Sequence, residues 1–480
     1  MLFAGTRTVG TVVALGLALL AVTAVAGGLA VVVGTGSAAS NTAEQALLKL
    51  MRQDQPYSLV APEVFDSLGW DLPDGGERVR ALARFAPGGA FDPAALERVD
   101  PTRVGYSTRW ITHRYRHYGL EWDITALKLE PLAPEPGLPT VAIINGGAAN
   151  WYEFFVDPMN DPGVGQFLAQ RVPVLLITIP GNYRPGGWPE PIPLRQPRYL
   201  LDQELGEKEL FARNAMFTFT LITEGVAQLI DKEVAGRLLI AGHSTGGEIQ
   251  FLLKDRLRER LQGLSLGWGT GGPARVRRDW DKAREGAVQA RYPANSRLRY
   301  RDPAGYVDKY VGPLNPVPGT SPREVAEAWF AQENRRRPQF KQVIQDIEHR
   351  GDTELLPSMR EELRRVVAEA GLSVDIDRVA ADYFSTMRTE ITGYRRIISN
   401  SGSLDEGHWH KDPQKAREVS LAARFREANP KAQVRVMAYA TPMTHYGHIE
   451  RPRQLAGALL AAVRWLMEDQ SRVSPGAGPS

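Results

Sequence analysis

The chain has 480 residues, of which 43% are hydrophobic and 24% are charged, as is typical of a folded protein with one large domain or two. Its formal net charge of +3 is small beside 58 basic and 55 acidic residues, so the overall charge gives no support to a nucleic-acid partner. The absence of cysteine excludes disulfides, thiol catalysis and thiolate metal sites.

The first feature along the chain is an uncharged, apolar run over residues 8–33, which follows Arg7 and precedes a polar stretch. As a helix, this run is long enough to cross a hydrocarbon layer of about 30 Å. We therefore expect residues 1–40 to anchor the protein in a membrane, with the main domain outside the cytoplasm. The alternative is a signal peptide cleaved at Ala24-Val25-Ala26, which would release a secreted protein.

The pattern of the chain changes from helical to strand-like after an N-terminal segment, residues 41–106, which we predict to be irregular and helical. A hairpin is predicted from Trp110–Tyr115 and Trp122–Leu129. Short apolar strands then alternate with segments long enough for helices. This alternation is typical of a mostly parallel sheet with helices on both faces. The predicted strands cover residues 140–144, 172–179, 238–241 and 264–268.

The second half of the chain is interrupted by a charged, Arg-rich and mainly helical region, residues 274–390, which we interpret as an insertion. The α/β core would then comprise residues 107–273 and 391–470, and residues 471–480 form a tail that we expect to be disordered. The last predicted elements are strands at Arg395–Ser399 and Gln433–Tyr439 and a helix at Pro452–Met467.

The most informative motif is Gly242-His243-Ser244-Thr245-Gly246, which follows the apolar run Arg237–Ala241 and precedes the helix-like stretch Glu248–Leu261. This is the G-x-S-x-G pattern in a strand, turn and helix setting. A serine at such a sharp turn has a strained backbone, and glycines on either side allow the strand and the helix to approach. The motif predicts that Ser244 is a nucleophile. A phosphate loop is not favoured, because neither Gly-Lys-Ser/Thr nor G-x-G-x-x-G fits here.

A serine nucleophile needs a positioned base, which is usually a histidine oriented by a carboxylate. Of the eight histidines, only His445 and His448 follow the last predicted strand. The base is therefore sought between these two.

With these residues the chain resembles the α/β-hydrolase superfamily. Members often follow the last strand with a histidine, a second histidine three positions on, and a Glu-x-Pro start to the final helix. Here Glu450-Arg451-Pro452 fits that start, and the resemblance implies that His445 is the catalytic base and His448 an accessory histidine. Because Thr444 stands where glycine usually precedes the base, His448, which follows Gly447, stays an alternative base.

The resemblance also extends to the acid. The segment from Arg396 to Asp405 is similar to the family's strand, Gly, x, x, Asp arrangement, which implies that Asp405 orients the histidine. The adjacent Glu406 is the alternative acid. The order Ser244, Asp405, His445 along the chain is the order that the hydrolase fold requires.

An oxyanion hole needs two backbone N–H groups, one from the residue after the nucleophile and one from the loop after the third strand. Thr245 supplies the first. Asn145-Gly146 stands where the family commonly has His-Gly, so Gly147 is the expected second donor and Ala148 the next candidate.

The resemblance covers residues 107–273 and 391–470, and it implies an α/β-hydrolase fold with a helical cap inserted at 274–390. It implies a serine hydrolase without a cofactor that acts on a small-molecule or lipid-like acyl substrate. A carboxylic ester is favoured because this fold most often hosts ester hydrolysis. The same residues would serve a peptidase, amidase, lactonase or acyltransferase, and a non-catalytic binding protein is the other alternative. The oligomeric state stays open.

A metal centre is the rival interpretation of the same region. His408, His410, Asp405 and Asp412 are ligand types at close spacing, and His445 with His448 would complete a shell. No recognised spacing such as H-E-x-x-H occurs, so we expect no metal.

Overall fold

The fold was analysed in a computed structural model, which describes residues 38–73, 96–145, 154–155, 162–180, 199–261, 263–268, 357–383, 385, 392–402, 422–423, 425–441, 443 and 447–468. Within these ranges, no helix is long and apolar enough to cross a membrane. The apolar run over residues 8–33 lies outside the described residues, as does the tail over residues 471–480.

The described elements alternate between strands and helices along most of the chain. The strands are β1 Tyr57–Val60, β2 Tyr106–His117, β3 Leu120–Pro131, β4 Thr140–Ile144, β5 Val174–Thr178, β6 Leu238–His243, β7 Leu264–Trp268, β8 Arg396–Gly402 and β9 Gln433–Tyr439. The helices are α1 Ala38–Arg52, α2 Pro62–Asp66, α3 Pro101–Val104, α4 Val164–Leu168, α5 Glu207–Ala215, α6 Phe219–Glu233, α7 Thr245–Leu261, α8 Pro357–Glu369, α9 Ile376–Asp382, α10 Gly447–Glu450 and α11 Pro452–Met467.

The strands form one nine-stranded sheet in the order β1-β9-β8-β7-β6-β4-β5-β3-β2. The hairpin strand β3 runs antiparallel to both β2 and β5, whereas all other neighbours are parallel. The predicted, mostly parallel sheet is therefore confirmed. Because β4 and β6 to β9 run in one direction, they all end at the same side of the sheet, which we call the carboxyl edge.

Helices cover both faces of the sheet because the buried strands are apolar on both sides. In β4, Val141 and Ile143 face a cluster that contains residues of α1, α4 and α11. The alternate residues Ala142 and Ile144 face a second cluster, which contains residues of α6, α7, α8 and α9. The alternation follows from the two-residue repeat of a strand.

Several predicted elements agree closely with the structure. The bounds of β4, β7, β9 and α11 are those expected from the sequence. Helices α5 and α6 are separate, because the Thr218 side chain accepts a hydrogen bond from the Leu221 N–H (3.2 Å) and begins a new helix there. Strand β1 was not predicted, and it extends the sheet beyond β9.

Part of the predicted insertion lies within the described residues, as α8 and α9. Their residues Leu363, Val366 and Val379 are buried in the same cluster as α6 and α7. The Asp382 carboxylate at the end of α9 accepts a hydrogen bond from the Tyr118 hydroxyl (2.9 Å). These two helices therefore pack against the core formed by the sheet and its helices, and residues 274–356 of the predicted insertion lie outside the described residues.

Candidate active site

The serine turn connects β6 directly to α7 at the carboxyl edge. Ser244 has a φ of 51°, in the left-handed region that a residue with a side chain rarely adopts. Its carbonyl accepts a hydrogen bond from the Gly247 N–H (2.9 Å), which closes the turn as the helix starts. The strand, turn and helix setting predicted for Ser244 is therefore confirmed, together with its strained backbone.

The flanking glycines are required by close packing. A Cβ at Gly242 would lie 2.6 Å from Gly247 Cα and 2.7 Å from the Gly246 carbonyl oxygen. A Cβ at Gly246 would collide with the Ile144 carbonyl and lie 2.9 Å from the Asn145 carbonyl oxygen. The first contact keeps the helix close to its own strand, and the second places the end of β4 beside the start of α7.

Gln250 supports the turn from within the protein. Its side-chain carbonyl accepts a hydrogen bond from the Gly242 N–H (3.1 Å), and its amide donates one to the Ser265 hydroxyl of β7 (2.7 Å). Gln250 is buried, and these two bonds connect strand β6, which precedes Ser244, with helix α7 and with strand β7. The serine turn is thus held by three elements.

The start of α7 supplies the electrostatics expected of an oxyanion site. Thr245 is the first residue of the helix, and the N–H groups of a first helical turn have no partner within the helix. The positive end of the helix dipole favours a developing negative charge there. Asn145, at the end of β4, is fully buried. The predicted second donor, Gly147, and its alternative Ala148 lie outside the described residues.

Four aromatic rings from separate segments pack against one another beside the serine turn. His243, the residue before Ser244, has its ring centroid 4.5 Å from that of His448. Phe154 stacks on His448 at 4.6 Å, and Trp268, at the end of β7, stacks on His243 at 5.6 Å. The cluster joins the turn to the segment that carries the predicted base.

His448 is fully buried in this ring cluster. A base that takes a proton from Ser244 and passes it to a leaving group needs access to the substrate. Burial between Phe154 and His243 therefore favours the accessory role for His448. His445 and Thr444 lie outside the described residues, so the role of His445 stays a prediction.

The strands that flank the predicted acid also end beside this region. Asn400 of β8 donates a hydrogen bond to the Gly267 carbonyl (3.2 Å) and accepts one from the Tyr439 hydroxyl (2.5 Å). Burial raises the pKa of Tyr439 well above its ordinary value, so its hydroxyl remains a donor. A Cβ at Gly402, the last residue of β8, would meet the Met443 carbonyl. Asp405 and Glu406 follow β8 but lie outside the described residues.

The rival metal centre is not represented in the described ranges, where no group of three or more His, Asp or Glu side chains is placed to hold an ion. Of its proposed ligands, Asp405, His408, His410, Asp412 and His445 lie outside those ranges, and only His448 lies within them. The expectation of a metal-free site stays a prediction.

Comparison with known proteins gave structural similarity only. No protein-family model matches the sequence, and no curated protein matches it. Among solved structures, a membrane phospholipase A, described as a bacterial virulence factor, is 16% identical, with 77% of this chain and 88% of the other covered and a TM-score of 0.36. A Pseudomonas aeruginosa hydrolase is 15% identical, with coverage of 73% and 97% and a TM-score of 0.33. An N-acyl homoserine lactonase is 14% identical, with coverage of 75% and 98% and a TM-score of 0.37.

The strand arrangement identifies the fold independently of these similarities. Counted from β2, the serine turn follows the fifth strand, and Asn145 follows the third, as the nucleophile and oxyanion loops of the predicted fold require. The chain has an α/β-hydrolase fold. Strand β1 and helix α1 precede that fold and extend its sheet and one helical layer.

The sequence did not identify the residues that support the serine turn. Gln250, Phe154 and Trp268 were not singled out, and His243 was considered only as a variable position of the motif. Gln250 lies one helical turn and a half beyond Ser244, facing back towards the strand, and a polar residue there on an otherwise buried face was the available signal. The ring cluster had no signal in the sequence, because its members come from four separate segments.

Proposed function

We propose that this protein is a serine hydrolase that cleaves an acyl bond, most suitably a carboxylic ester, through a covalent acyl-enzyme. The observation that carries the proposal is the positive φ of Ser244 at the tip of the turn between β6 and α7. Strain of this kind costs about 1–3 kcal/mol and persists where the surrounding structure enforces it, commonly at active sites. Close packing at Gly242 and Gly246 enforces it here.

In the proposed reaction the Ser244 hydroxyl oxygen attacks the acyl carbonyl carbon, and its proton passes to His445. Asp405 holds the imidazole in the orientation that accepts this proton. The negative charge on the former carbonyl oxygen is stabilised by the N–H groups of Thr245 and Gly147. The intermediate then expels the alkoxide, which takes the proton from His445. Water, deprotonated by the same histidine, then attacks the acyl carbonyl carbon, the bond to the Ser244 oxygen breaks, and this oxygen takes the proton back from His445 as the acid leaves.

The segments that lead to the proposed residues have described ends that lie close together, and this supports the assignment. Gly246 packs against the end of β4, which leads to the Gly147 loop, and the ring of His448 contacts that of His243. Gly402 packs against Met443, so the segments that lead to Asp405 and His445 start beside each other. A triad assembled from these segments therefore requires only short connections.

Fluorophosphonate labelling tests the proposal, because these reagents form a covalent bond with an activated serine. We expect labelling of the full chain, complete loss in Ser244→Ala, and no change in Ser67→Ala. Ser67 is a suitable control because its hydroxyl only donates to the Glu63 carbonyl (2.8 Å) on the protein surface. Absence of labelling in the unmodified chain would overturn the enzyme assignment. Labelling that persists in Ser244→Ala would show that another residue is the nucleophile.

A panel of esters with graded acyl length, together with matching amides, then tests the bond that is cleaved. We expect ester turnover to exceed amide turnover at every chain length. Faster amide cleavage would replace the esterase assignment with that of an amidase on the same serine.

A further inference from the structure

Residues 57–71, which we call the leading segment, precede the α/β-hydrolase fold and contain β1 and α2. Strand β1 is parallel to β9, and its last residue, Val60, is aligned with Tyr439, the last residue of β9. The chain from β9 to the final helix α11, residues 440–451, carries both candidate bases, His445 and His448, and we call it the base connection. Strand β1 of the leading segment therefore ends where the base connection begins.

The start of the base connection is held by two hydrogen bonds to the leading segment. The Ala440 N–H donates to the Val60 carbonyl (3.0 Å), so the pairing with β1 continues one residue beyond β9. The hydroxyl of the next residue, Thr441, donates to the carboxylate of Asp66, the last residue of α2 (3.1 Å). Hydrogen bonds to a charged acceptor are stronger than those between neutral groups. Two consecutive residues of the base connection are thus tied to β1 and α2.

Helix α2 also packs against the end of β9. The ring of Phe65 lies 4.4 Å from that of Tyr439, between centroids, and both rings are fully buried. The Tyr439 hydroxyl in turn donates to Asn400 of β8, the strand that leads to the predicted acid (2.5 Å). Phe65 therefore supports the tyrosine that joins the ends of β8 and β9.

The other end of the base connection packs against the same segment. Gly69 has a φ of 93°, and a Cβ there would lie 2.5 Å from the carbonyl oxygen of Arg453, in the first turn of α11. A Cβ at Gly457, one turn later, would lie 2.6 Å from the Gly69 nitrogen. Arg453 also forms an ion pair with Asp71 (3.4 Å). The start of α11 thus lies directly on the backbone of the leading segment, which only glycine permits at both positions.

Both ends of the base connection are therefore held by one segment that lies outside the α/β-hydrolase fold. The ring cluster holds the connection between those ends, where the His448 ring contacts the rings of His243 and Phe154. A catalytic group that is displaced by about 1 Å can lose about 10²-fold in rate. We propose that the leading segment positions the base connection for proton transfer, and that Asp66 is a positioning residue that acts through Thr441. This inference rests on the proposed serine hydrolase activity, because the proton acceptor belongs to that reaction.

Replacement of Asp66 tests the inference without disturbing the core, because Asp66 is exposed. Asp66→Ala removes the acceptor, and Asp66→Asn keeps an acceptor oxygen for the Thr441 hydroxyl. We expect kcat on a soluble ester and the rate constant of fluorophosphonate labelling to fall about tenfold in Asp66→Ala, with KM unchanged. Both rates should stay within about twofold of the unmodified chain in Asp66→Asn. Glu63→Ala, which removes an exposed carboxylate from the same helix, is the control and should change neither rate.

The time course of labelling separates positioning from a loss of folded protein. Protein that fails to fold lowers the final amount of labelled chain, whereas a displaced base lowers the rate constant at which the folded chain is labelled. A rate constant that is unchanged in Asp66→Ala would overturn the inference, whatever the final amount. Equal slowing in Asp66→Ala and Asp66→Asn would also overturn it, because the hydrogen-bond acceptor would then be irrelevant.

The other partner of the hydrogen bond gives a second test. Thr441→Val keeps the shape of the buried side chain and removes its hydroxyl, so it should slow labelling about tenfold as well. The double variant Asp66→Ala/Thr441→Val should be no slower than either single variant, because all three lack the same hydrogen bond. Independent effects that multiply to about a hundredfold would overturn the assignment of Asp66 to Thr441.

Hydrogen exchange tests the positioning without reference to catalysis. In Asp66→Ala the backbone amides of residues 440–451 should exchange several-fold faster than in the unmodified chain, and those of β6 should exchange at the same rate. Mass spectrometry of peptides from the two regions measures the difference. Unchanged exchange over residues 440–451 would overturn the role of the leading segment. Absence of labelling in the unmodified chain, with faster exchange in the variant, would instead overturn the hydrolase activity and leave the structural support in place.

Discussion

Two turns of this protein hold a non-glycine residue at positive φ, and they do so for different reasons. Among the described residues, Tyr118 (54°) and Ser244 (51°) are the only such residues. Tyr118 and Gly119 form the two-residue loop of the β2–β3 hairpin, where positive φ at both positions matches the right-handed twist of the strands. Ser244 is followed by a helix, so strand twist does not explain its conformation. Packing against β4 and α7 imposes it instead.

The surroundings of the two residues show the same difference. The Tyr118 hydroxyl has two partners, the Thr218 hydroxyl (2.7 Å) and the Asp382 carboxylate (2.9 Å), which fix the hairpin to α6 and α9. Ser244 is only partly buried, and the groups that hold its backbone in place belong to its neighbours Gly242 and Gly246. The comparison teaches that one unusual conformation serves stability, whereas the other holds a partly buried serine at the positive end of a helix dipole.

Replacement of Ser244 should have the largest effect on activity, and two different replacements should separate the loss of the hydroxyl from the backbone strain. Both Ser244→Gly and Ser244→Ala should lower kcat for ester hydrolysis by about 10⁶-fold, because each removes the nucleophile. Glycine adopts positive φ freely, so Ser244→Gly should have a free energy of unfolding about 1 kcal/mol above that of Ser244→Ala. Urea denaturation followed by circular dichroism measures the difference. Equal stabilities of the two variants would mean that the turn is not strained.

The two candidate bases should differ strongly in their effect on the reaction. His445→Ala should lower kcat/KM by about 10⁴-fold if it removes the proton acceptor. His448→Phe keeps a ring stacked on Phe154 and should lower kcat/KM by only about tenfold, through a shift of the neighbouring loop. Steady-state kinetics on a soluble ester decides between them. The reverse order of effects would transfer the base assignment to His448.

Replacement of Gly246 should show how tightly the serine turn is packed. In Gly246→Ala the new methyl group meets the Ile144 carbonyl, so the helix must move away from β4, at a cost of about 1–3 kcal/mol in the free energy of unfolding. Labelling by a fluorophosphonate should slow in parallel. Gly236→Ala is the matched control, because a Cβ at Gly236 would meet nothing within 4 Å. Similar unfolding midpoints for both variants would contradict the packing argument.

The hairpin turn should have the smallest effect on activity. Tyr118→Phe keeps the ring and removes the hydrogen bonds to Thr218 and Asp382, so it should lower the free energy of unfolding by about 1–3 kcal/mol. Because the hairpin does not contribute to the chemistry, kcat/KM should stay within about twofold. If Tyr118→Phe lowers kcat/KM by more than its loss of folded protein accounts for, the hairpin turn and the serine turn are coupled.

Much of the fold was predictable from the sequence, because its parallel strands are short apolar runs with clear ends. Strands β4 and β7 illustrate this, since both are buried, β4 is followed by Asn145, and β7 stands between Gly263 and Gly269. Strand β1 was missed because only Ser58 and Val60 of its four residues are buried, so the segment resembles a surface loop. The break between α5 and α6 depends on one capping threonine, Thr218, which a helical repeat does not detect.

The candidate site was predictable only where one local segment determines it. The positive φ of Ser244 follows from the sequence Gly-x-Ser-x-Gly between a strand and a helix. The partners Gln250, Phe154 and Trp268 depend on which strands are neighbours in the sheet, and the spacing along the chain does not determine that order. The roles of Asp405, His445 and Gly147 stay predictions, because these residues lie outside the described ranges.

The hydrogen bonds that hold the serine turn do not depend on pH. The groups that bind Gly242 and connect it to β7 are the Gln250 amide and the Ser265 hydroxyl, neither of which gains or loses a proton in the physiological range. Acidification therefore leaves this connection intact. A rate that declines with acidity therefore does not reflect the loss of these two hydrogen bonds, and it reports groups that do titrate, among them the proposed base His445 and the neighbouring rings of His243 and His448.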